Sequence, residues 1–279
     1  MAKYASVKES WKIVIYYFVF STLIAIPFVI LKIIFPEYIS MGLLMVFCTI
    51  LGNIAVLLFL FNRDKKKGLE NVKLSFKYDF PKSLWGIIIA STCCLIFLED
   101  ILTFLPIPDY FMSMIAPLLK EPFALFLLIC VGAPIFEEII FRGIILKKML
   151  VDMPPKKAII QSSIIFACVH INPTQLFAAF FIGLVLGWLF IKTKSLVPSM
   201  CLHFVNNFLA FLSIYYLPKE ATSFYYLIDS TLIYIILYLL SVGVFYICYQ
   251  YLNKLFPEKI QDNQAIKSEI LTENLKIQN

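Results

Sequence analysis

Apolar runs of about 20 residues recur along almost the whole chain, separated by short segments that carry most of its lysines. A run of that length crosses the hydrocarbon core of a bilayer as one helix, because every backbone polar group there must be bonded within its own segment. Eight segments read this way: 13–31, 40–61, 83–105, 122–146, 157–171, 174–191, 195–217 and 223–252. The expected fold is all-α, a polytopic transmembrane helical bundle of about eight spans. Composition points the same way. Of 279 residues 61% are hydrophobic and 15% charged, with a mean hydropathy of +0.87. Soluble domains hold about 45–50% and about 25%. A soluble enzyme, a disordered chain and a disulfide-stapled secreted domain are excluded. The 7 cysteines lie inside apolar stretches with no C-x-x-C pair, and read as small buried residues.

The net charge of +6 belongs to no basic domain or stripe, so it gives no sign of a nucleic-acid partner. It sets orientation instead. With both termini cytoplasmic and eight spans, all 24 Lys and Arg except Lys32, Lys120 and Lys219 fall on the inner side. The basic flank Lys3, Lys8 and Lys12 precedes a run too long for a signal peptide, which reads as an uncleaved first span. Pro106, Pro108 and Pro117 mark 106–121 as a connector that can dip into the membrane, and the polar tail from Lys254 reads as a soluble helix or a frayed end. Three units follow: N-terminal transmembrane helices over 1–119, core helices over 120–217, and a last span with its tail over 218–279. Gly183 and Gly187 form a small-xxx-small pair suited to close helix packing.

Charges inside a span are rare and usually functional. The fourth span holds Glu137, Glu138 and Arg142, which would cost roughly 8–10 kcal/mol if lipid-exposed and unpaired. They must face protein or a wet cavity. On a helix of 3.6 residues per turn, Glu138 and Arg142 lie about 40° apart, and Glu137 and Arg142 about 140°. Glu138 and Arg142 therefore form the expected structural ion pair. Glu137 is left as the spare carboxylate, suited to a general base.

The two histidines also lie within spans. His170 follows Phe166 by one turn, and His203 precedes Asn207 by one turn. Measured from Lys147, Lys157 and Lys194, Glu138 and His203 sit about 14 Å deep and His170 about 20 Å, near the middle of a core about 30 Å thick. The turn at Asn172 and Pro173 then needs shielding by protein or water. This set fits peptide hydrolysis. Glu137 can activate a water, His170 can position it, and His203 with Asn207 can donate to the tetrahedral oxyanion. No Ser or Cys is visibly activated as a covalent nucleophile.

E-E-x-x-x-R at 137–142, F-x-x-x-H at 166–170 and H-x-x-x-N at 203–207 resemble, in order, the motifs of the CAAX protease and bacteriocin-processing (CPBP, or Abi) family. The resemblance covers residues 120–210. It implies an intramembrane endopeptidase, similar to the Ras-converting CAAX endopeptidases, whose cavity opens toward the cytoplasm. The family's catalytic Glu falls on Glu137, its two His on His170 and His203, and its Asn on Asn207. Family members have been described as metalloproteases and as glutamate proteases. Glu137, His170 and His203 can in principle ligate Zn²⁺, yet there is no H-E-x-x-H and the set spans three helices. The expectation is no metal, with a glutamate-activated water.

The expected partners are the lipid bilayer and a membrane-associated peptide or protein substrate. The Ile-, Lys- and Phe-rich composition suggests an AT-rich bacterial genome and a cell-membrane location, which argues against a prenylated substrate. Two rivals remain. A non-catalytic bacteriocin self-immunity or scaffold protein would keep the fold without needing Glu137. A proton-coupled transporter would show inverted repeats and paired broken helices, and neither is visible.

Overall fold

The computed structural model describes residues 7–66, 73–108, 110–170, 172–217 and 223–257. The polar tail is outside the described residues from 258 onward. The chain is a multi-pass, all-helical membrane protein. Its elements are α1 (Val7–Ile34), α2 (Met41–Lys66), α3 (Lys82–Phe104), α4 (Phe111–Ile115), α5 (Pro122–Asp152), α6 (Pro155–Cys168), α7 (Pro173–Thr193), α8 (Leu196–Tyr216), α9 (Phe224–Ile228) and α10 (Thr231–Leu255).

Among the described residues seven helices are long and apolar enough to cross a membrane: α1, α2, α3, α5, α7, α8 and α10. The fifth expected span is the exception. Helix α6 has 14 residues, about 21 Å of rise against a core about 30 Å thick. It stops because Pro173, opening α7, lacks the N–H that would continue the ladder. Helices α6 and α7 thus form a hairpin whose tip lies within the bundle. The connector from α3 covers that tip. Tyr110 N–H donates to Asn172 Oδ1 at 2.9 Å, and Thr174 Oγ1 donates to the Pro108 carbonyl at 3.2 Å.

Three pairings organise the rest: α1 with α2, α6 with α7, and α3 with α10, while α8 runs between α3, α5 and α7. Ile140, Ile144, Ile145, Leu146 and Met149 of α5 meet Ile165 and Phe166 of α6 and Leu186 of α7 in one core. Gly183 lets α6 and α7 close: a Cβ there would stand 3.1 Å from Ser163 Cβ and 3.3 Å from Phe166 Cδ1. At the basic end, Asp64 of α2 is buried between Arg63 at 2.8 Å and Lys148 of α5, tying α2 to α5. Cys93 and Cys168 are exposed, and are not the buried thiols the sequence suggests.

The link between α7 and α8 fixes the depth of the second histidine. Lys194 takes a left-handed conformation at φ 53°, ending α7, and the Ser195 side chain accepts from Val197 N–H at 3.2 Å to start α8. Ser195 Oγ also donates to the Lys77 carbonyl at 2.6 Å, so the extended segment before α3 pins the start of α8.

Candidate active site

Helix α5 departs from α-helical winding twice, over Leu127–Gly132 and Glu138–Leu146, where backbone bonds reach five residues back. Pro134 explains the first stretch, since it cannot donate to a carbonyl below it. In this register Ala133 N–H bonds the Leu128 carbonyl, and the next carbonyl, Ile129, would need a donor that Pro134 lacks. Asn207 of α8 supplies it: its Nδ2 donates to the Ile129 carbonyl at 2.7 Å. An orphaned carbonyl on one helix thus sets the side chain of the other. Asn207 Oδ1 accepts from Asn206 Nδ2 at 3.3 Å, and one Nδ2 hydrogen remains unspent.

The second stretch begins at Glu138. Arg142 Nη1 reaches Glu138 Oε1 at 2.9 Å, with both side chains 0% exposed. Arg142 Nη2 donates to the Gly183 carbonyl at 3.3 Å, and its guanidinium lies 4.3 Å from the centre of the Phe166 ring. His203 Nδ1 also meets Glu138 Oε1, at 3.0 Å, so one carboxylate oxygen serves both Arg142 and His203. Spacing along α5 says nothing of that second bond, because His203 comes from α8.

Glu137 stands apart. Its Oε2 is buried and has no hydrogen-bond partner, and His203 Nε2 stands 3.9 Å away. His170, at the end of α6, bonds through Nδ1 to the Phe166 carbonyl at 2.9 Å. A carbonyl only accepts, so Nδ1 carries the proton and Nε2 of neutral His170 is an acceptor. Phe166 touches nearly everything here. It is 1% exposed, and its ring lies edge-on to His170 at 5.0 Å and to His203 at 5.9 Å.

Of the residues expected at the site, Glu137, Glu138, Arg142 and His203 form one cluster, Asn207 lies one turn beyond His203, and His170 joins through Phe166. Among the described residues no three His, Cys, Asp or Glu side chains are grouped to hold a metal, and His203 and His170 each bond through Nδ1 and keep Nε2 open.

Two groups went unnoticed in the sequence. Tyr17 of α1 lies within electrostatic reach of Glu137 and against the Asn53 side chain of α2, although Asn53 Oδ1 has no hydrogen bond of good geometry. The available signal was weak: a lone Asn in an apolar span.

Residues 119–209 match the family model described as Type II CAAX prenyl endopeptidase Rce1-like. The match supports the family resemblance carried by the three motifs, and with it a protease of this general kind. No curated protein and no solved structure matches the chain.

Proposed function

We propose, on the premise of a CAAX-protease-family core, that this membrane protein is an intramembrane endopeptidase acting through a water activated by Glu137. One observation carries the reading: of two adjacent carboxylates, Glu138 is spent on Arg142 and His203, while Glu137 Oε2 is buried without a hydrogen-bond partner. Glu138 and Arg142 cancel in charge, which leaves Glu137 as the carboxylate of the pair with no basic side chain bonded to Oε2.

In the reactive state Glu137 is ionised and His203 protonated. Glu137 takes a proton from a water whose other hydrogen bonds His170 Nε2, and the oxygen attacks the peptide carbonyl. The oxyanion is met by His203 Nε2–H and the unspent Nδ2–H of Asn207. Glu137 then passes its proton to the leaving amine. Arg142 and Phe166 are positioning residues: Arg142 holds Glu138, which holds the ring of His203, and Phe166 packs against Arg142 and both imidazoles.

The substrate is a membrane-associated peptide or protein in a bacterial cell membrane, with both termini of the enzyme cytoplasmic. The test is cleavage of a membrane-peptide library by the purified protein, with and without a chelator. Cleavage that survives chelation is expected. Activity lost on chelation and restored by zinc would keep the protease and overturn the water-only mechanism.

A further inference from the structure

The chain carries a second pair of adjacent acids, and it is resolved in the same way as the first. Asp100 is fully engaged: Oδ2 accepts from Ser223 Oγ at 2.7 Å and Tyr234 Oη at 2.9 Å, and Oδ1 from Phe224 N–H at 3.0 Å. It staples the end of α3 to α9 and α10. Glu99 has no such role. Its Oε1 is shut off from solvent and has no hydrogen-bond partner.

Glu99 borders a cavity of about 560 Å³ between α3, α8 and α9, whose apolar wall includes Ile96, Leu209 and Phe224. Asn206 borders the same cavity, and its Oδ1 is also buried and partnerless. Ser213 Oγ donates to the Ala210 carbonyl, Ser223 Oγ to Asp100 and one Asn206 Nδ2 hydrogen to Asn207, and none of these bonds serves Glu99 Oε1 or Asn206 Oδ1. Two residues on this cavity thus each carry a buried acceptor without a donor. Buried acceptors are costly to leave unmet, so the complementary occupant brings several N–H donors, a positive charge and an apolar stem.

We propose that this cavity is a subsite for a basic side chain of the peptide substrate. The walls take the methylene stem, and Glu99 with Asn206 Oδ1 takes the ammonium or guanidinium. A peptide is the occupant because of where the cavity ends. Asn206, on the cavity wall, is bonded at 3.3 Å to Asn207, the residue assigned above to the oxyanion, so the cavity adjoins the proposed site through this pair. The inference rests on the endopeptidase reading and adds a substrate class to it.

Binding separates the two. The full-length Glu137→Gln protein in detergent is titrated with apolar peptides in which lysine, or norleucine in its place, is walked along the sequence. At one position the lysine peptide is expected to bind about tenfold tighter or more. Adding Glu99→Gln reduces that preference to about twofold or less, and Ala210→Phe, which fills the cavity and spares the carboxylate, weakens the lysine peptide in the same way. Equal affinity for lysine and norleucine at every position overturns the subsite, as does a preference that survives Glu99→Gln. Displacement of the lysine peptide by phosphatidylethanolamine but not by phosphatidylcholine would overturn it too, assigning the cavity to a lipid amine. Wild-type cleavage without lysine preference leaves the protease standing and removes the subsite. Lysine-selective binding with no cleavage of any peptide does the reverse.

Discussion

Helices α1 and α10 and helix α5 are similarly apolar, yet they occupy opposite places. On the outer two the large side chains face outward, with Ile33 73% exposed and Leu232 68%. On α5 every residue from Glu138 to Leu146 is buried. Hydropathy decides that a segment enters the membrane, but not where it sits, because lipid tails are as apolar as a neighbouring helix. What separates α5 is its charge. Glu138 and Arg142 can be held at that depth only with protein all round, so the least lipid-compatible residues place their helix at the centre.

Removing that charge should break the contrast. Arg142→Met keeps the bulk and leaves Glu138 without its cation, an expected loss of about 3–5 kcal/mol in detergent unfolding. An unchanged unfolding midpoint would mean that α5 is centred by packing alone. At the other end of α5 the effect should fall on chemistry. Asn207→Ala should lower turnover by about 10²–10³ with little change in KM, measured by steady-state cleavage, and a loss confined to KM would move Asn207 from the oxyanion to substrate binding.

Truncation compares the helices directly. Ile144→Ala, at 1% exposure, should cost about 2–5 kcal/mol through the cavity it leaves, whereas Leu232→Ala should stay within about 0.5 kcal/mol. Similar costs at both sites would show that α10 has a partner surface of its own.

The smallest effect lies at the head of α5. The Ser40 hydroxyl and Gly42 N–H hold the Glu121 carboxyl below the usual carboxylate range. A lowered value stabilises the fold fully above the ordinary range, and that contribution fades as pH falls through the lowered one. Glu121→Gln should flatten the acid limb of the unfolding curve by less than about 0.5 kcal/mol, because the group is partly open to solvent, which screens it.

Much of this bundle is legible in local sequence, and the remainder depends on contacts between helices. Apolar length announces the long helices, and the four-residue spacing within one helix brings Arg142 to Glu138. The short α6 was misjudged because 157–171 is apolar enough to look like a span, while its end is set by Pro173. The wide turns of α5 are invisible to arithmetic that assumes 3.6 residues per turn, even though Pro134 causes the first of them. The bond from His203 to Glu138 joins residues 65 apart. Tyr17 and Asn53 lie on helices that hydropathy reads only as lipid-facing. These last omissions, unlike the two set by proline, are contacts between segments, and no periodicity within one segment carries them.

The central claim is that two neighbouring carboxylates do different work, and Glu137→Gln and Glu138→Gln measured side by side test it most directly. Each purified variant is assayed for thermal unfolding and for cleavage of one peptide that the wild type cuts. Glu137→Gln should unfold with the wild type and cleave nothing, since it removes a base that holds no other group. Glu138→Gln should lose stability as well as activity, because Arg142 and His203 both lose their anion. A Glu137→Gln protein that still cleaves at the wild-type rate, beside a Glu138→Gln protein that is stable and inactive, would contradict the account.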